Sequence, residues 1–241
     1  MRALVALVER EYREHKGAFV YGPAILLGLM LLGSAYGTIS SYVHLEMDGQ
    51  LPSALRFYET VFALAAGGWW FYLLAMLVFY FSDSFASDSR DNAMLFWKSM
   101  PQSDLKILMS KVTAALTIFP TAILLAMAIS GILAYLPAFT AGNVLSTFSP
   151  PNLAETISAW AQIMSVAIVH IAIGLLWYLP FLAWVGLLST LFKRWGIPLA
   201  VLIPVVIGLF ESFVIRTGGP RGGYILDFLR RRLELEFDGL D

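Results

Sequence analysis

The chain has 241 residues, 59% hydrophobic and 14% charged, with a formal net charge of -1, a pI near 6.3 and a mean hydropathy of +0.73. So small a net charge gives no basic field for nucleic acid, and the absence of cysteine excludes a disulfide framework, thiol catalysis and thiolate metal ligation. The apolar residues fall in runs long enough to cross a hydrocarbon layer of about 30 Å, which takes about 20 residues of helix. The expected fold is therefore all-α: a polytopic transmembrane helical bundle.

The start, MRALVALVEREYREHKG, is interrupted by charge too soon to read as a cleavable signal. From Arg2 to Lys16, Leu4, Leu7 and Val8 share one helical face while Glu9, Arg10, Arg13 and Glu14 occupy the rest. That pattern suits an interfacial helix leading into the membrane, or equally a solvated helix start. Ala18 to Ser41 is the first span, with Gly33 and Gly37 at a spacing that lets helices approach closely, inside one subunit or across a dimer seam. Val43 to Tyr58 reads as a polar connection, and Val61 to Phe81 as the second span.

Between spans two and three lies a polar insertion from Asp83 to Ile107 that carries a compact apolar patch, Met94, Leu95, Phe96 and Trp97, followed by Lys98 and a break at Pro101. Adjacent Phe and Trp in a water-facing insertion mark an interaction surface. The expectation is a short helix that docks on a soluble partner; an amphipathic stretch in the lipid headgroups is the alternative. Ser103 and Asp104 then start a helix as N-cap and negative first-turn residue, and this third span ends near Leu136, with a kink at Pro120.

Pro137 to Asn152 holds Gly142, Asn143, Pro150 and Pro151 and no Lys or Arg, so it reads as a non-cytoplasmic loop. The apolar tract from Ile157 to Phe192 is too long for one straight crossing and short for two. It is assigned as one long fourth helix bent at Pro180; a hairpin at Trp177 to Phe181 would give six spans instead of five. Lys193, Arg194 and Gly196 form a short basic turn before the fifth span, Pro198 to Ile215. Residues 1–215 are thus read as the membrane domain. The tail, 216–241, is an amphipathic helix with Leu226, Leu229, Leu233 and Phe237 at helical spacing.

Basic residues cluster at alternate span ends. With the N-terminus inside, Arg2, Arg10, Arg13, Lys16, Arg90, Lys98, Lys106, Lys111, Lys193 and Arg194 are all cytoplasmic, and Arg56 alone is basic in the two intervening outer loops. Five spans place Arg216, Arg221 and Arg230 to Arg232 outside, so the tail is either an extracytoplasmic segment, complete or not, or lies inside after a hairpin.

No enzymatic constellation emerges. His15, His44 and His170 are widely spaced, with no HExxH and no phosphate-binding loop. His170 reads as a hydrogen-bonded packing residue. Asp83, Asp88 and Asp91 do not have the spacing of a calcium loop and read as capping and solvated groups. Neither a cofactor nor a catalytic residue is expected. Glu211, in IPVVIGLFESFVI, is the acidic residue set deepest in a span. It either pairs with Arg216 or reaches the interface, or it lines a substrate path.

Three strings, LVEREYREHKGAF, LFWKSMPQSDLKILMSK and WYLPFLAWVGLLSTLFKRWGIPLAVLIPVVIGLFE, together resemble a bacterial type-two ATP-binding-cassette (ABC) transporter permease over nearly the whole chain to Glu211. The resemblance implies a subunit of the inner, cytoplasmic membrane that pairs with a second permease copy or a similar subunit, on two ABC ATPase subunits. It also implies that Asp88 to Met100 is a cytoplasmic coupling helix seated in the ATPase, with docking residues Asp88, Arg90, Met94, Leu95, Phe96, Trp97 and Lys98. A second contact would come from Leu191 to Gly196, through Lys193 and Arg194. The family usually has a sixth span at this point, whereas this chain ends in a charged segment, as either a fragment or a shortened form would. A membrane anchor or assembly factor that recruits a soluble partner through the same patch, without transport, is the reading from another class.

Overall fold

The computed structural model describes residues 2–40, 53–90, 104–144, 151–214 and 223–233, and no strand occurs among them. A chain this apolar has no water along most of its length to satisfy its backbone, so helices, which pair every amide internally, are the available solution. The helices are α1 (Arg2–Glu14), α2 (Gly22–Ser40), α3 (Ala54–Arg90), α4 (Asp104–Thr113), α5 (Phe119–Val144), α6 (Leu153–Phe192), α7 (Gly196–Val214) and α8 (Gly223–Leu233). Among the described residues, five stretches are long and apolar enough to cross a membrane: Gly17–Tyr36, Ala54–Ser84, Leu105–Phe139, Leu153–Phe192 and Gly196–Val214. The protein is a membrane-embedded helical bundle.

The spans begin and end elsewhere than the apolar runs suggest. Helix α3 starts at Ala54, before Arg56 and Glu59, because the Ser53 hydroxyl accepts the Arg56 amide at 3.3 Å and caps the helix. Helix α5 continues through Pro137 to Val144, where the sequence suggested a loop. A proline costs a helix about 3 kcal/mol, and here Ala134 and Ala138, buried on either side of it, keep the chain in the bundle. At Pro180 α6 is the one long helix expected, running unbroken with Leu175 and Leu182 buried on either side, and the alternative hairpin at Trp177 to Phe181 does not form.

Two π-helical turns, Gly17–Tyr21 and Ala114–Ile118, were not foreseen. Each stands two residues before a proline, Pro23 and Pro120. A proline ring presses on the carbonyl four residues back and cannot donate to it. A wider turn makes room, and its amides bond one residue further back, as Gly22 N does to Gly17 O and Phe119 N to Ala114 O. The anticipated effect of Pro120 thus takes the form of a π-turn. The two wide turns lie close in space, since Phe19 of one stacks on Phe119 beside the other, with ring centroids 3.7 Å apart.

The chain divides into two compact units. The first, Met1–Tyr80 with Trp97–Leu179, buries one stripe of α3 (Phe62, Trp69, Leu73, Leu77, Tyr80) and one of α5 (Phe119, Ile123, Met127, Ser130, Ala134). Within it α2 packs on α5, and α1 on α4. Indole and phenol groups tie its helices: Trp69 Nε1 donates to Ser130 Oγ at 3.2 Å, Trp160 Nε1 to the Ala128 carbonyl at 3.3 Å and Tyr72 OH to the Ala18 carbonyl at 2.5 Å. The second, Phe81–Phe96 with Pro180–Asp241, contains the ends of α3 and α6 together with α7 and α8. There Trp184 Nε1 donates to the Ala200 carbonyl at 3.3 Å, and α8 packs on α7.

Candidate functional site

Three constellations of polar or exposed groups stand out from the apolar framework. The first is in the first unit. Leu7, Val8, Glu11 and His15 follow helical spacing on the inward side of α1, so Glu11 is buried although its neighbours Glu9, Arg10, Arg13 and Glu14 are exposed. Arg10 pairs with Glu14 and Arg13 with Glu9 along the helix surface. Glu11 instead meets Lys111 of α4 at 2.9 Å, with the two side chains only 7% and 4% exposed. Tyr80 OH of α3, also buried, faces Glu11 Oε2 at 2.9 Å and the Lys111 carbonyl at 3.2 Å.

The His15 ring sits edge-on to Tyr80 at 4.7 Å. Although Glu11, Glu14 and His15 bring ligand atoms within 4.8 Å of one another, Glu11 is held by Lys111 and Tyr80, Glu14 by Arg10, and His15 Nδ1 lies 3.1 Å from the Glu11 carbonyl. The cluster is a buried clasp joining α1, α3 and α4. The sequence reading missed it and counted Lys111 among the cytoplasmic charges. Its signal was Glu11, four residues after Leu7 on the apolar face.

The second constellation is in the second unit, where Ser189 Oγ of α6 donates to Ser82 Oγ of α3 at 3.0 Å. The contact is close because both side chains are small and because Gly196 sits against α6: a Cβ there would meet the Ser189 Cα at 2.6 Å. The ends of α3 and α6 are therefore held side by side. Asp88 and Arg90 lie in the last turn or so of α3, and Met94, Leu95, Phe96, Trp97 and Lys98 lie outside the described residues.

Lys193 and Arg194 form, with Trp195, the 3-10 turn that follows α6. Lys193 is exposed and has φ 52, a left-handed conformation that an L-residue adopts only under local constraint. Around it Leu191, Phe192 and Trp195 are 65%, 49% and 59% exposed. The turn thus combines a basic residue with three uncovered apolar ones.

The third constellation is Glu211. Its Oε2 accepts the Ile225 backbone amide at 2.9 Å, and Ile225 is in the first turn of α8. A carboxylate there satisfies an amide that has no partner within the helix and sits at the positive end of the helix dipole. Sequence reasoning offered Arg216 as its partner; Arg216 lies outside the described residues, and the partner found is a helix start.

No family model matches the chain, and no curated protein or solved structure matches it.

Proposed function

We propose that the chain is the membrane-spanning permease subunit of an ABC transporter of the bacterial inner membrane, without an ATPase site of its own. It would act as a pair, with a second copy or a similar subunit, on separate ATPase subunits. The observation that carries the reading is the Ser82 to Ser189 contact. It sets side by side the helix ends from which two segments emerge, Asp88 to Met100 and Leu191 to Gly196, and these resemble the two ATPase contacts of such permeases. Uncovered Leu191, Phe192 and Trp195 beside Lys193 supply the aromatic and basic anchors that binding hot spots use.

In this reading the N-terminus is cytoplasmic, as the basic residues at the span ends indicate, and an odd number of crossings puts α8 on the opposite side. ATP binding in the partner would move the paired ends of α3 and α6 as one body, and rigid elements that share packed contacts carry such motion into the bundle. Glu211 stays a candidate for the substrate path, alongside the capping contact it makes.

The test is affinity purification of the tagged chain from native membranes, followed by identification of what accompanies it. The expected partner carries a phosphate-binding loop, and Phe96→Ala with Trp97→Ala should release it or leave ATP hydrolysis without transport. Undiminished co-purification and transport in the double variant would refute docking through that patch. A bound partner that lacks nucleotide chemistry would favour the anchor reading.

A further inference from the structure

Between α3, α5 and α6 of the first unit lies a cavity of about 440 Å³ lined by Ala63, Ala66, Gly67, Trp70, Gln162 and His170 together with aliphatic side chains. Its volume falls in the range of small-molecule sites, roughly 300–1,000 Å³. In sequence Trp70 lies between the charged residues that bound the apolar part of α3, about 16 Å from Glu59 and about 20 Å from Asp83 at about 1.5 Å per helical residue. That is near the middle of the hydrocarbon layer. The His170 ring lies at the same depth, edge-on to the Trp70 ring at 5.1 Å. Gly174 lets the indole lie against α6, since a Cβ there would meet Trp70 Cζ2 at 2.6 Å.

Trp69, Trp160 and Trp184 each give their N–H to an internal acceptor. Among the described residues, the side chains of Trp70, Gln162 and His170 make no hydrogen bond. His170 therefore packs as the sequence suggested but lacks the hydrogen bond expected of it. Gln162 is exposed and His170 half-buried. Acyl chains offer such groups no partner, and polar side chains within a membrane normally face a cavity, a path or a partner group. Among the described residues no Asp, Glu, Lys or Arg lines the space, which suits an uncharged ligand.

We propose that this cavity binds an uncharged amphipathic small molecule, with a flat apolar body against Trp70 and the small residues of α3 and a hydroxyl, carbonyl or amide group presented to Gln162 and His170. The site requires no ATPase and is tested on the full chain alone, in lipid nanodiscs.

The probe is 4-[3-(trifluoromethyl)diazirin-3-yl]benzyl alcohol, with the same diazirine on toluene as its hydroxyl-free control; after illumination, the labelled positions are read by peptide mass spectrometry. Labelling should concentrate on residues 63–70 and 162–170. Gly67→Leu should abolish it, because a side chain at Gly67 meets nothing within 4 Å and grows into open space. Gln162→Leu with His170→Phe, a second route should Gly67→Leu not fold, should cut labelling by the alcohol about fivefold, the equivalent of one hydrogen bond, and leave the toluene control unchanged. Label spread evenly over lipid-facing residues such as Leu125 and Ile132, or unchanged in both variants, overturns the proposal. So does efficient cross-linking between two chains through Val166→Cys, which would assign this face to a second copy.

Discussion

Lys111→Met removes the cation from the clasp that holds α1 and leaves the shape of the side chain nearly unchanged. In the native protein Glu11 and Lys111 are 6% and 3% exposed, so solvent does little to screen the pair, and the Glu11 carboxylate has Lys111 and the Tyr80 hydroxyl as its side-chain partners among the described residues. Removing one member of such a pair typically costs about 3–5 kcal/mol, because the remaining charge stays buried without compensation. Replacing both members by apolar residues of similar volume removes that burden. The Tyr80 hydroxyl would still face the carbonyl of residue 111 at 3.2 Å, since a backbone acceptor survives substitution.

Lys111→Met should therefore lower the unfolding free energy by about 3–5 kcal/mol, whereas Glu11→Met with Lys111→Met should fall within about 1 kcal/mol of the native chain. The assay is reversible unfolding in mixed micelles, followed by helical signal, with hydrogen exchange across residues 2–14 to locate the loss. A Lys111→Met chain within about 1 kcal/mol of native, or a double variant as unstable as the two single changes summed, would refute the clasp.

Glu211→Ala should cost about 1 kcal/mol, the usual worth of an N-terminal capping side chain, seen as faster amide exchange confined to residues 223–233; Glu211→Gln keeps an acceptor for Ile225 and should lose a few tenths to about 1 kcal/mol. Gly174→Val should destabilise by about 1–3 kcal/mol through overpacking against Trp70, measurable as a lower unfolding midpoint. Lys193→Gly should be neutral or stabilising by up to about 1 kcal/mol at its left-handed φ, and Lys193→Val destabilising; equal stability in the two would remove that conformation from the argument. Phe119→Ala, which deletes the ring stacked on Phe19, should cost about 3–5 kcal/mol in the same unfolding assay.

What the sequence alone determined is what depends on the bilayer as solvent. A backbone in hydrocarbon must bond to itself, so apolar runs of sufficient length become helices whatever their neighbours are. This is why the all-helical class, helices long and apolar enough to cross, the amphipathic α1 and the helix at Gly223–Leu233 could be read directly. The limits of the helices could not: Pro137 is a local breaking signal, and the buried Ala134 and Ala138 on either side of it are tertiary facts, whereas the single long helix through Pro180 was legible.

The clasp illustrates the difference most sharply. Glu11 and Lys111 are a hundred residues apart, and although the periodicity of α1 puts Glu11 on its apolar face, four residues after Leu7, it names no partner for the charge. Only the packing of α1 on α4, with Tyr80 between them, decided that these two would be buried together. The same is true of Trp70, Gln162 and His170. His170 alone had a reading in the sequence, as a packing residue, and it took the approach of α6 to α3 over Gly174 to gather the three groups around one cavity.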